Sequence, residues 1–82
     1  MTSATTVAPS DRITVTITEG VADVRLVRVD KMNALDAPMF NALVDTAERL
    51  RTENGLRAVV LSGEGRAFCA GLDMGRFAAM GD

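Results

Sequence analysis

Histidine, tryptophan and tyrosine are absent from these 82 residues, and cysteine occurs once. Without His the chain lacks the commonest general base and the commonest metal ligand. Its three Phe are the only aromatics, too few for a platform on which nucleic-acid bases would stack. The single Cys69 excludes an internal disulfide and fits a reducing, intracellular compartment, so a cytoplasmic location is expected. No apolar run approaches the roughly 20 residues of a membrane-spanning helix. A formal net charge of −2, with acids and bases interspersed, points to neither nucleic acid nor an anionic membrane as partner.

What is present is an ordinary globular composition, 48% hydrophobic and 24% charged, on a length that suits one small domain. Residues 1–12, MTSATTVAPSDR, are small and polar with no apolar segment, and are expected to be a mobile tail rather than a secretory signal. The folded part is expected over 13–82. ITVTIT (Ile13 to Thr18) alternates apolar residues with Thr, the pattern of a half-buried strand. Glu19-Gly20 interrupts it and VADVRLVRV (Val21 to Val29) resumes an extended pattern, with Ala22, Val24 and Leu26 on one face. Two such runs across a short Gly turn predict a β-hairpin.

A helix comes next. Asp36 is a suitable N-cap and Pro38 falls in the first turn, where a missing N–H costs little. Met39, Phe40, Leu43, Val44, Ala47 and Leu50 then form one apolar stripe, and Asn54-Gly55 supplies the stop. In RAVVLSG (Arg57 to Gly63), four consecutive apolar residues predict a strand that seeks burial on both faces. Beyond it Met74, Phe77, Ala78 and Met80 have helical spacing, with Asp73 as N-cap. The order is ββαβα, yet one full helix and the start of another leave a two-faced strand under-covered. The expectation is the N-terminal part of a larger α/β domain, or a chain whose bare surface a partner covers.

Between the last strand and the last helix lies GEGRAFCAGLDMGRF (Gly63 to Phe77), a turn with almost no reactive side chains. A sharp strand-to-helix turn leaves backbone N–H groups without internal acceptors, and small residues let a substrate approach them. Such donors stabilise an oxyanion formed from an ester or thioester carbonyl, each worth about 3 kcal/mol in the transition state. The plainer alternative is that the turn only turns. A phosphate-binding reading is weaker still, since the turn has neither GxxxxGK[ST] nor GxGxxG. Cys69, with no His to activate it, reads as a small apolar packing residue rather than a nucleophile.

Two segments in this order, KMNALD (Lys31 to Asp36) and GRAFCAGLDM (Gly65 to Met74), resemble the NAL and F-[SCA]-A-G-x-D segments of the crotonase, or enoyl-CoA hydratase/isomerase, family. The likeness runs over about residues 12 to 80. It implies an α/β crotonase-like spiral fold, of which this chain is the opening ββαβα segment, and binding of an acyl-CoA or enoyl-CoA thioester. By the same resemblance the backbone N–H of Leu72 is an oxyanion-hole donor. Ala70, Gly71, Leu72, Asp73 and Met74 form one wall of the coenzyme A site, with Lys31 and Ala34 on the facing side. Coenzyme A would be part of the substrate, with no separate cofactor and no metal. Trimers or pairs of trimers are implied, or a separately encoded C-terminal part.

Each assignment has a structural counterpart. Asp73 suits a helix cap, Asn33 suits a loop held by side-chain to backbone bonds, and Lys31 and Arg66 suit solvated surface. The family's second oxyanion donor and its acid/base carboxylates fall further along than this sequence extends. None of Glu19, Glu48, Glu53 and Glu64 matches a family acid. The functional expectation is therefore a contribution to thioester binding and enolate stabilisation; the alternative is an inactive truncated product or a small interaction module.

Overall fold

The computed structural model describes residues 5–6 and 10–75. Four strands form one sheet in the order β1 (Thr5–Thr6), β2 (Ile13–Thr18), β3 (Val21–Leu26) and β4 (Ala58–Gly63), and one long helix, α1 (Ala37–Arg51), lies between β3 and β4. β2 and β3 are antiparallel in the register Ile13↔Leu26, Val15↔Val24 and Ile17↔Ala22, which puts the apolar sets of both strands on one face. The turn at Glu19-Gly20 has positive φ at both positions (50° and 80°), the two-residue geometry whose twist suits a hairpin. Gly20 is required there twice over: a Cβ would come within 2.7 Å of the Gly55 carbonyl oxygen.

Within the segment expected as a mobile tail, Thr5–Thr6 pairs antiparallel with β2, opposite Ile17 and Thr16. A ladder of backbone bonds does not require apolar side chains, so composition carries no sign of it. β3 also ends earlier than expected, at Leu26. The chain leaves the sheet into a 3₁₀ turn at Val29–Lys31, and Met32 and Asn33 come next in the left-handed region, φ 50° and 59°.

The helix begins as predicted. Asp36 Oδ1 accepts the Met39 amide at 3.0 Å, and Pro38 sits in the first turn. The packed stripe is Met39 and Leu50, with Ala42 and Leu43 beside them, against Ile13, Val15, Ala22, Val24 and Leu26. Val44 and Ala47, expected in that stripe, face outward, so the buried arc is narrower than the apolar pattern. α1 lies chiefly over β2.

That placement decides the fate of β4, which joins β3 in parallel with Val59 beside Ala22 and Leu61 beside Val24. It forms the sheet edge beyond the helix, so Val59, Val60 and Leu61 remain about half exposed. Burial on both faces, expected from four consecutive apolar residues, is not achieved by the described residues alone. The expected second helix is described only as far as Met74 and Gly75; Phe77, Ala78 and Met80 lie outside the described residues. No helix among the described residues is long and apolar enough to cross a membrane.

Candidate active site

The two motif segments come together at the end of the sheet. After β4, Gly63 allows residue 68 to fold back over the strand: a Cβ at Gly63 would lie 2.3 Å from the Phe68 carbonyl oxygen. The returning chain, Ala70 to Asp73, then runs parallel to Met32 to Leu35. The Ala70 amide donates to the Met32 carbonyl at 2.9 Å, the Leu35 amide to Gly71 at 2.7 Å, and the Asp73 amide to Leu35 at 2.9 Å. Leu35 and Leu72 form the central bridge of this short ladder.

Peptide planarity sets the direction of the next amide. With no cis bonds among the described residues, the Gly71 carbonyl and the Leu72 N–H point in opposite directions across one plane. The carbonyl is turned to Leu35, so the Leu72 N–H is turned away from it, and it donates to no acceptor among the described residues. Gly71, at φ 92°, supplies the conformation that reverses the peptide here, in a region unfavourable to residues with a Cβ. Leu72 as a residue is 43% exposed.

A buried polar framework holds the pair of segments. Asn33 is fully buried: its Oδ1 accepts the Arg28 amide at 2.8 Å, and its Nδ2 donates to the carbonyls of Glu64 and Ala67, both at 2.9 Å. The loop role expected for Asn33 is what the geometry gives. Arg28, 7% exposed, is the residue that sequence reasoning misses. Its guanidinium contacts the Ala34 carbonyl at 3.0 Å, Asp73 Oδ2 at 3.0 Å and Asp36 Oδ2 at 3.3 Å. A signal for it exists: in VADVRLVR the alternation that buries Ala22, Val24 and Leu26 continues to position 28.

Asp36 is shared. Besides capping α1 and meeting Arg28, it receives Arg12 in a two-point contact, Nη2 to Oδ2 at 2.8 Å and Nε to Oδ1 at 3.2 Å. The Arg12 hydrogen bond, opposed by burial and aided by the Met39 amide, holds the Asp36 carboxyl down at about 2, and the same bond raises Arg12. Asp36 therefore stays ionised and serves as an anchor, not as a proton donor.

The remaining expected site residues divide. Ala70, Gly71, Leu72 and Met74 are exposed along one segment, and Asp73 is partly buried by its pair with Arg28. Across from them Lys31 is exposed at the end of the 3₁₀ turn, while Ala34 is buried with its carbonyl already engaged by Arg28. Cys69 packs against the core as a small apolar residue. The acids lie on the periphery: Glu48 pairs with Arg51, Glu53 with Arg49 and Glu64 with Arg25, while Glu19 occupies the hairpin turn. A cleft between β2 and α1, lined by Val15, Ala42, Thr46 and Leu50, contains none of the expected site residues.

Residues 16–81 match the family described as enoyl-CoA hydratase/isomerase. A probable enoyl-CoA hydratase of Rhodobacter capsulatus is 49% identical over 65 residues, covering 79% of this chain and 24% of that protein. A 4-chlorobenzoyl coenzyme A dehalogenase of Arthrobacter is 39% identical over 62 residues, 76% of this chain and 22% of that protein. Among solved structures, an enoyl-CoA hydratase from Mycobacterium marinum superposes with a TM-score of 0.79 at 30% identity, over 85% of this chain and 28% of the other. One from Mycobacterium avium subsp. paratuberculosis gives 0.76 at 30% identity, over 84% and 29%. The chain thus spans about a quarter of the length of these relatives. On the matched residues, the fold and the paired motifs together, the chain belongs to the enoyl-CoA hydratase/isomerase, or crotonase, family and carries its N-terminal region.

Proposed function

We propose that this chain contributes an oxyanion-hole donor, the Leu72 N–H, to a site that binds an acyl-CoA or enoyl-CoA thioester and stabilises the enolate formed from it. The observation that carries the reading is the orientation of the 71–72 peptide. Its carbonyl is fixed by Leu35 and its N–H points away from Leu35, with no acceptor among the described residues. A donor already aimed costs no reorganisation when charge develops on the acyl oxygen. In this reading Ala70 to Met74 line the thioester's path, with Lys31 and Ala34 opposite, and coenzyme A enters as part of the substrate. Family membership and the coenzyme A thioester named for the Arthrobacter relative support the substrate class.

The acid next to Leu72 in the chain, Asp73, faces Arg28, so the reading assigns proton transfer to groups outside the described residues. The test is to replace the Leu72 amide by an ester through chemical ligation and to compare binding of crotonyl-CoA with that of free coenzyme A. Crotonyl-CoA is expected to bind at least about tenfold more weakly, with coenzyme A unaffected. Equal affinities of amide and ester chains for crotonyl-CoA would remove Leu72 from the site.

A further inference from the structure

We infer that Arg28 is a positioning residue for the Leu72 amide: its buried guanidinium ties Asp73 to Asp36 and Ala34, and so sets the segment carrying the donor against the segment that aims it. The inference rests on the reading of Leu72 as the oxyanion donor.

Three observations converge. The first is reach. One side chain contacts Asp73, immediately after Leu72, and both Ala34 and Asp36, which flank Leu35. Leu35 is the residue whose amide holds the Gly71 carbonyl, so Arg28 braces both members of the Leu35–Leu72 bridge from behind. The second is burial: the side chain is 8% exposed, and its carboxylate partners are 5% and 16% exposed. Desolvating a guanidinium and two carboxylates costs much of what their attraction returns, so such a cluster is a poor source of stability but defines geometry. The planar fork adds direction, because Nη1 meets Asp73 and Ala34 while Nη2 meets Asp36.

The third observation is that the backbone of Arg28 is itself anchored. Its amide donates to Asn33 Oδ1, and its carbonyl accepts from Lys31 and Asn33. The guanidinium therefore projects from a base bonded to the same 31–36 segment that it contacts, and Asn33 links that base to the carbonyls of Glu64 and Ala67. Arg12 completes the charge balance at Asp36 from the β2 side, leaving two arginines and two aspartates in one neutral group.

The experiment uses the full chain, ¹⁵N-labelled, with Arg28→Met, Arg28→Lys and Asp73→Ala. Amide hydrogen exchange separates a local from a global effect. Exchange at Leu35 and Asp73 is expected to rise at least about tenfold in Arg28→Met, and at Leu35 in Asp73→Ala, while Val15 and Val24 in the sheet keep their protection. Arg28→Lys, retaining charge without the fork, should restore part of the protection. The Leu72 resonance should move on addition of crotonyl-CoA but not coenzyme A in the native chain, and this difference should shrink in Arg28→Met.

Uniform loss of protection across loop and sheet would reduce Arg28 to a structural residue, as would unchanged exchange at Leu35. Should Arg28→Met fail to fold, Asp73→Ala alone decides, because it leaves Arg28 paired with Asp36. A native chain whose Leu72 resonance ignores crotonyl-CoA would refute the oxyanion reading; the exchange pattern would then still report whether Arg28 holds the bridge.

Discussion

The amide of Leu35 and the carbonyl of Gly71 lie 2.7 Å apart, and that single bond dictates the direction of the next amide in the chain. Turn the 71–72 peptide over and the Leu72 N–H would face Leu35 instead of pointing away from it. The geometry of the candidate site is therefore a property of one peptide plane and of what holds it.

Gly71→Ala tests that plane directly. A Cβ at Gly71 would meet nothing within 4 Å, so crowding is not the obstacle; the obstacle is φ at 92°. Destabilisation of roughly 1–2 kcal/mol is expected if the native conformation is kept. If the peptide relaxes instead, the Leu35 amide loses its acceptor and exchanges faster. Urea unfolding read together with hydrogen exchange at Leu35 distinguishes the two, and no change in either would contradict the assignment of strain.

Gly63→Ala should behave differently, because here the demand is space. The added methyl would collide with the backbone of Phe68, its carbonyl oxygen at 2.3 Å and its Cα at 2.7 Å. Displacing backbone on this scale typically costs about 1–3 kcal/mol. The Ala70 and Leu35 amides, which depend on how the chain returns after β4, are expected to shift in the ¹⁵N–¹H spectrum.

Asn33→Ala removes the side chain that satisfies the Arg28 amide and the carbonyls of Glu64 and Ala67. Buried polar groups left unpaired cost about 1–3 kcal/mol each, partly recovered where water enters, so a net loss of about 2–4 kcal/mol is expected. Asn33→Asp should be no remedy. It keeps the acceptor but confronts two carbonyl oxygens with a carboxylate. A urea midpoint within error of the native chain would refute the network.

Stability should also fall in acid through Asp36. Its carboxyl, ordinarily at 3.8, is lowered to about 2 in the fold, chiefly by Arg12. On acidification the unfolded chain takes up this proton before the folded one does. The contribution is therefore fully present above about pH 4 and is lost as pH falls toward 2, on the order of 2 kcal/mol. Asp36→Asn should lower stability at neutral pH and flatten the acid limb; an unchanged slope between about pH 4 and 2 would show that other carboxylates dominate.

The edge strand governs behaviour in solution. Val59, Val60 and Leu61 are half exposed at the edge of the sheet that the described residues form, with no charge or proline among them, a surface prone to pairing with other chains. Val60→Lys is expected to reduce concentration-dependent association in light scattering, with a change in unfolding free energy below about 0.5 kcal/mol.

Much of this architecture is legible where a residue's local role and its tertiary role agree. The alternation in Ile13 to Thr18 and Val21 to Leu26, the Glu19-Gly20 turn and the Asp36 cap all describe the observed elements. Val44 and Ala47 mislead because helical spacing tells which residues share a side, not how wide an arc the sheet covers. β4 misleads for a related reason: four apolar residues announce a wish for burial that the helix, seated over β2, does not meet. Arg28 is the instructive omission. A charged residue near a strand end reads as solvated, and only its two aspartate partners, one distant in sequence, reveal why it is inside.

The Leu35–Leu72 bridge carries one more implication, for the order of events in folding. The residues it joins are separated by all of α1 and β4, so the entropy of closing that loop must be overcome before the contact can form. A species with its hairpin and helix in place would therefore contain most of the core yet lack an aimed Leu72 amide. Cutting the chain in the 52–57 connection should spare the early elements and leave the Leu72 amide unaimed, making its orientation a late-arriving report that the crossover has closed.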